Sequence, residues 1–231
     1  MENALPFSKA VSTKTEAEFL QLLDERKAVI GVIGLGYVGL PLAVAAAEAG
    51  FSILGFDVNV ERTEQINRGD SFLGHFPSSK IRAVVDAGKL VATADFGRLS
   101  EPDVIIICVP TPLNRFREPD LSYVSNTAQA ISETLRPGQL IVLESTSYPG
   151  TTTGVVRPIL ESTGLKSREG FFLGFSPERE DPGNIDFTTT RIPKVVGGDG
   201  PVALSLSQKF YSLVFDETVP VSSTEVAEAV K

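Results

Sequence analysis

The chain has 231 residues, 42% of them apolar, and a formal net charge of −8. That is ample apolar mass for a sizeable core. The acidic balance excludes a broad nucleic-acid or anionic-membrane surface, which needs clustered Lys and Arg, and the lone cysteine, Cys108, excludes an internal disulfide framework.

Residues 1–15 read as a loose arm, without the apolar core of a signal peptide. Phe19, Leu20, Leu22 and Leu23 mark a short amphipathic helix over 16–26. The run 28–34 (AVIGVIG) has the pattern of a strand buried on both faces. Residues 37–50 then read as a helix closed by Gly50, 51–57 as a second strand, and 60–68 as a second helix closed by Gly69. Ser78 or Ser79 is expected to cap a helix through Ala87. Strands are expected at KLVATAD, at 103–109 and at 139–146, with a helix over 122–135 ended by Pro137-Gly138. Residues 151–162 read as a helix that starts or bends near Pro158. Strands follow at GFFLGFS and IPKVVGG, then a helix over 201–213, a short strand at TVPVSS, and a last helix capped by Thr224. No run approaches the ~18 apolar residues of a membrane span.

This alternation predicts an α/β fold, a doubly wound parallel sheet of the Rossmann type with helices on both faces. The expected division is an arm and short helix over 1–27, a dinucleotide-binding domain over 28–222, and over 223–231 the start of a longer helix that leads toward domains absent from this chain.

Gly34-Leu35-Gly36-Tyr37-Val38-Gly39 matches G-x-G-x-x-G, between an apolar strand and a helix. Gly34 permits the tight turn, Gly36 leaves room for a pyrophosphate, and Gly39 lets helix and strand pack closely. The helix start offers N–H groups and a partial positive charge to an anion, with Tyr37 and Val38 in the same turn. Asp57 lies about twenty residues beyond, at the end of the second strand, where a ribose-binding carboxylate belongs. It would repel a 2′-phosphate, so NAD is expected over NADP. Arg62, about one helical turn further on, is placed either at the adenosine end or as a solvated helix charge.

Beyond the glycine loop, ICVPTPLN (107–114), ESTSYPGTT (144–152), FSPEREDPG (175–183) and TEVAEAVK (224–231) occur in order. Together with GVIGLGYVGLPLA these stretches resemble the UDP-glucose/GDP-mannose dehydrogenase family, NAD-dependent enzymes that oxidise a nucleotide sugar at C6 in two hydride transfers through a cysteine thioester. The resemblance implies a cofactor contact at Thr111 beside Pro110. It implies a threonine at Thr146 that holds a water or substrate oxygen near the nicotinamide, and thioester hydrolysis assisted by Glu178. It also implies that Lys231 stabilises charge on the C6 oxygen. Taken singly, each has a plainer reading as loop punctuation, a strand end or a surface charge. The position four residues after Glu178, a second glutamate in UDP-glucose dehydrogenases, is Pro182. SPEREDPG is instead similar to the branch acting on N-acetylated sugars, which implies a UDP-N-acetylhexosamine substrate.

The resemblance further implies a cytoplasmic setting and a homodimer for the whole enzyme, while this chain is expected to bind NAD without completing the oxidation. The family's nucleophilic cysteine lies beyond the lysine helix, so Cys108 is expected to be a buried, inert strand residue. His75 is expected to be a solvated loop residue, and one histidine makes no metal site. Two rival functions stand beside this one. A β-hydroxyacid dehydrogenase shares the GLGxxG start, although ESTSYPGTT and SPEREDPG speak against it. A freestanding NAD-binding module would need no catalytic apparatus.

Overall fold

The computed structural model describes residues 14–74, 76–113, 115, 117, 119–178 and 192–230, so the expectations for His75, Pro182 and Lys231 lie outside the described residues. The strands are β1 (Val29–Ile33), β2 (Ser52–Phe56), β3 (Leu90–Thr93), β4 (Val104–Ile107), β5 (Leu140–Leu143), β6 (Phe172–Phe175), β7 (Lys194–Gly198) and β8 (Thr218–Pro220). Among the described residues they form one eight-stranded sheet in the order β3-β2-β1-β4-β5-β6-β7-β8. Strands β1 to β6 run parallel, as the alternation of apolar runs and helical patterns predicts.

The sheet departs from expectation at its far side, where β7 runs antiparallel to β6. A parallel neighbour requires a crossover, usually a helix. The sequence between these strands carries Pro177, Pro182, Pro193 and a run of threonines, poor material for one. The reversal brings the first residue of β7 to the edge where β6 ends.

Both faces of the sheet are covered because successive strand residues point to opposite sides. Ile30, Val32, Ile53, Val104, Ile106 and Val142 pack on one side with α1 (Glu16–Asp24), α2 (Gly39–Glu48), α3 (Val60–Asn67), α4 (Ser78–Asp86) and α7 (Pro201–Ser212). Ile33, Leu54, Ile105, Ile107, Ile141 and Leu173 face α5 (Ser122–Ser132), α6 (Arg157–Glu161) and α8 (Thr224–Ala229) on the other.

Several local details correct the sequence reading. Lys14 and Thr15 are fixed in place. Thr15 forms a reciprocal capping box with Glu18, satisfying donors at the start of α1. Lys14 pairs with Asp103. The N-cap of α4 is Pro77, and the hydroxyl of Ser78 instead accepts from the Ser71 N–H at 2.9 Å. The cap of α8 is Ser223, whose Oγ accepts from Val226 N, and Thr224 is the first helical residue. The segment before Pro158 is a π-helical turn, Thr152–Val156, in which Arg157 N–H donates five residues back to Thr152 O. Proline has no N–H to offer a regular helix, and widening the preceding turn accommodates that.

At the amino ends of the strands, Asp103 gathers three elements. It accepts from Val29 N at 3.0 Å and from Arg136 at 2.8 Å, and it pairs with Lys14. Burial opposes its charge, but Lys14, the Val29 amide and Arg136 outweigh that and hold its carboxyl below the ordinary aspartate value.

Candidate active site

The carboxyl ends of five parallel strands open into one cavity of about 780 Å³. Gly34 follows β1, Asp57 follows β2, Cys108 follows β4, Glu144 follows β5, and Glu178 lies just past β6. The cavity straddles the point between β1 and β4 where the strand order reverses, the usual ligand crevice of an open parallel sheet.

The glycine turn is dictated by close contact. Gly34 has φ +89°, and a Cβ there would meet the Cys108 carbonyl oxygen at 2.6 Å. A Cβ on Gly39 would fall 2.0 Å from the Gly34 carbonyl oxygen. Gly39 is absent from the cavity wall and works behind it, letting α2 start against β1. Gly36 differs, because a Cβ there would meet no protein atom within 4 Å. It lines the cavity with Tyr37 and Val38 at the start of α2, where no side chain caps the helix. An open face with an uncapped helix start is the cradle that a diphosphate fits.

Asp57 is buried and held on both oxygens. Its Oδ2 accepts from Leu35 N at 3.0 Å and from Arg62 Nη1 at 2.8 Å, and its Oδ1 accepts from Asn59 N at 2.9 Å. An ionised carboxylate has about four acceptor directions, so room remains for a ribose hydroxyl. Arg62 lines the cavity and spans Asp57 and the Phe72 ring, 4.6 Å from its guanidinium carbon. The residues present thus fit an adenosine diphosphate end.

Pro110, Thr111, Thr146 and Glu178 line the same cavity, so every described site residue expected from the sequence except Gly39 meets there. Cys108 departs from expectation. It is partly exposed, one residue past β4, and its position against Gly34 puts it in the cavity wall. Sequence reasoning missed Tyr123, Asn126, Thr127 and Ala130, one face of α5 at helical spacing, together with Phe96. The apolar periodicity of α5 marks its core side, so the face toward the cavity carries no distinguishing signal.

It also missed a buried ionic cluster behind Glu178. Lys194, the first residue of β7, donates to Glu178 Oε2 at 2.6 Å and to Glu144 Oε2 at 2.9 Å. The Tyr211 hydroxyl of α7 donates to Glu144 Oε1. Lys194 is 3% exposed and Glu144 1%. Burial works against the lysine charge, but Glu144 and Glu178 overcome it and hold Lys194 protonated beyond the ordinary lysine range. Burial pushes the Glu144 carboxyl up. A charged residue abutting an all-apolar strand, as in LIVLE and KVVGG, is the signal that could have found them.

α8 packs over the ESTSYPGTT loop. Glu228, buried, accepts from Gly150 N at 2.6 Å, Thr152 N at 2.8 Å and Thr152 Oγ1 at 2.6 Å. Its carboxyl is raised by burial, against those bonds. Among the described residues no cluster of metal-ligating side chains occurs, and no helix is long and apolar enough to cross a membrane.

Residues 28–215 match the model of the UDP-glucose/GDP-mannose dehydrogenase family, NAD binding domain. The chain belongs to this family. As its NAD-binding domain, it is 35% identical over 204 residues to the UDP-N-acetyl-D-glucosamine 6-dehydrogenase of Pseudomonas aeruginosa, covering 87% of this chain and 47% of that protein. It is 34% identical to the UDP-N-acetyl-D-mannosamine dehydrogenase of Pyrococcus horikoshii, over 87% of this chain and 48% of that one. Among solved structures, the NDP-N-acetyl-D-galactosaminuronic acid dehydrogenase from Methanosarcina mazei Go1 superposes with a TM-score of 0.82 at 36% identity, over 92% of this chain and 48% of that one. The chain spans about half the length of the curated relatives it matches.

Proposed function

We propose that this domain serves the NAD-dependent oxidation of a UDP-N-acetylhexosamine at C6 to the uronic acid, in a cytoplasmic enzyme that is a homodimer when whole. The observation that carries the reading is the single cavity that brings the glycine turn, Asp57, Thr146 and Glu178 together at the carboxyl edge of the sheet. The names of the relatives support the substrate class, and FSPEREDPG supports the N-acetylated branch.

In this reading the amides at the start of α2 hold the diphosphate and Asp57 holds the adenosine ribose, with Arg62 beside it. NAD⁺, when bound, supplies the hydride acceptor. Pro110 and Thr111 wall the cofactor channel past β4. Thr146 orients a water or a substrate oxygen, and Glu178 accepts a proton when a thioester is hydrolysed. Lys231 is assigned the stabilisation of charge on the C6 oxygen.

Two measurements test the proposal. Calorimetry with NAD⁺ and NADP⁺ should give heat with the first and at least tenfold weaker binding of the second. Absorbance at 340 nm should then rise on addition of a UDP-N-acetylhexosamine to the whole enzyme, with two NADH formed per sugar. NADH formed from a simple β-hydroxyacid, with none from any nucleotide sugar, would overturn it.

A further inference from the structure

The acid at the cavity wall is not held by its own strand alone. β6 and β7 pair antiparallel with Gly174 opposite Gly198 and Phe175 opposite Gly197. Carrying that register past the end of β6 sets Lys194 opposite Glu178, and the ammonium lies 2.6 Å from the Glu178 carboxylate. The same ammonium reaches Glu144 at the end of β5. Among the described residues the rings of Tyr211 and Phe215 also flank it, 5.3 and 5.1 Å from Nζ. Among the described residues the ionisable groups around it are Glu144, Glu178 and Tyr211, with Cys108 acting on Tyr211 from β4's end. Two carboxylates brought together in a buried place repel each other unless a cation lies between them.

We propose that Lys194 is a positioning residue that clasps Glu144 and Glu178 into one carboxylate pair, so that Glu178 is presented to the cavity as a fixed anion. The pair makes Glu144, which no motif assigned, the partner that sets how readily Glu178 takes up a proton. In its use by the reaction, this inference rests on the reading of Glu178 as a group that meets the substrate; the clasp itself does not.

The test follows the Glu178 carboxyl directly, in the intact chain with ¹³C-carboxyl glutamate, using Glu178→Gln to assign its resonance. Lys194→Met should move the Glu178 titration midpoint up by about one pH unit or more, because the ammonium between it and the like charge of Glu144 is then gone. Lys194→Arg should keep the midpoint close to the wild-type value. Glu144→Gln should move the midpoint the other way, down, since the ammonium then serves Glu178 alone. Should Lys194→Met fail to fold, the downward shift in Glu144→Gln decides the matter. A Glu178 midpoint that stays put in Glu144→Gln, or that Lys194→Met leaves unmoved, overturns the proposal. NAD⁺ calorimetry on the same samples is the separate control: a wild-type chain that binds no NAD⁺ sinks the functional reading while the carboxyl titration still judges the clasp.

Discussion

The two ends of the cavity are built on opposite principles. The end at β1 and β2 is made of backbone: three glycines, the start of α2, and one carboxylate held by the main-chain amides of Leu35 and Asn59. The end at β5, β6 and β7 is made of side chains that come from distant parts of the chain, with Lys194 bridging Glu144 and Glu178. A backbone site fails when atoms are added to it. A side-chain site fails when a charge is left without its partner. The first is therefore sensitive to size and the second to charge.

That contrast can be broken by substitution. The largest expected effect is at Lys194, where Met would leave two carboxylates adjacent in a buried place. A loss of about 3–5 kcal/mol is expected, read as a drop in the denaturant midpoint, and the Glu144→Gln, Lys194→Met pair should recover part of it. Gly39→Ala comes next. Its Cβ would sit 2.0 Å from backbone, so α2 must move, at a cost of about 1–3 kcal/mol or more, with NAD⁺ affinity lost alongside stability. Asp57→Asn should leave the fold in place while weakening NAD⁺ about tenfold to a hundredfold, the value of a charged hydrogen bond, measured by calorimetry. The smallest structural effect belongs to Gly36→Ala. Its Cβ meets no protein atom within 4 Å, so the thermal midpoint should stay nearly unchanged while NAD⁺ binding falls. A Gly36→Ala protein that binds NAD⁺ normally would show that the diphosphate does not lie there.

A third region, at the opposite edge of the sheet, gives a pH test. The Asp103 carboxyl lies below its ordinary value in the folded chain. The unfolded state therefore binds its proton first as pH falls. The stability Asp103 contributes is full above about pH 4 and is lost as pH drops through the lower folded value. Asp103→Asn should destabilise the protein near neutrality and flatten the acid limb of the stability curve, measured by urea unfolding from pH 6 to pH 3. An unchanged acid limb would show that Lys14 and Arg136 do not act on it.

Much of the backbone end was legible in the chain because its determinants are local. The spacing Gly34, Gly36, Gly39 needs no distant contact to specify a turn, and Asp57 is placed by the length of one βα unit. The apolar runs of β1, β2, β4 and β5 likewise announce buried strands, since each is covered on both faces whatever lies beside it. Pro158 announced a disturbance of its helix, though the wider π turn that absorbs it was not readable.

The side-chain end was not legible, and the reason is physical. Glu144, Glu178, Lys194 and Tyr211 are separated by long stretches, and each alone reads as an ordinary polar residue. What joins them is the reversal of β7, which pairs antiparallel with β6. By itself the sequence determined the doubly wound sheet, the glycine turn and the place of the acidic residue after β2, because short-range sterics and periodicity decide those. The tertiary structure alone decided which charges meet, that Cys108 faces the cavity, and that α8 locks onto the loop after β5. A charge beside an apolar strand marks a candidate, but which charges pair is set by the packing of whole strands and helices.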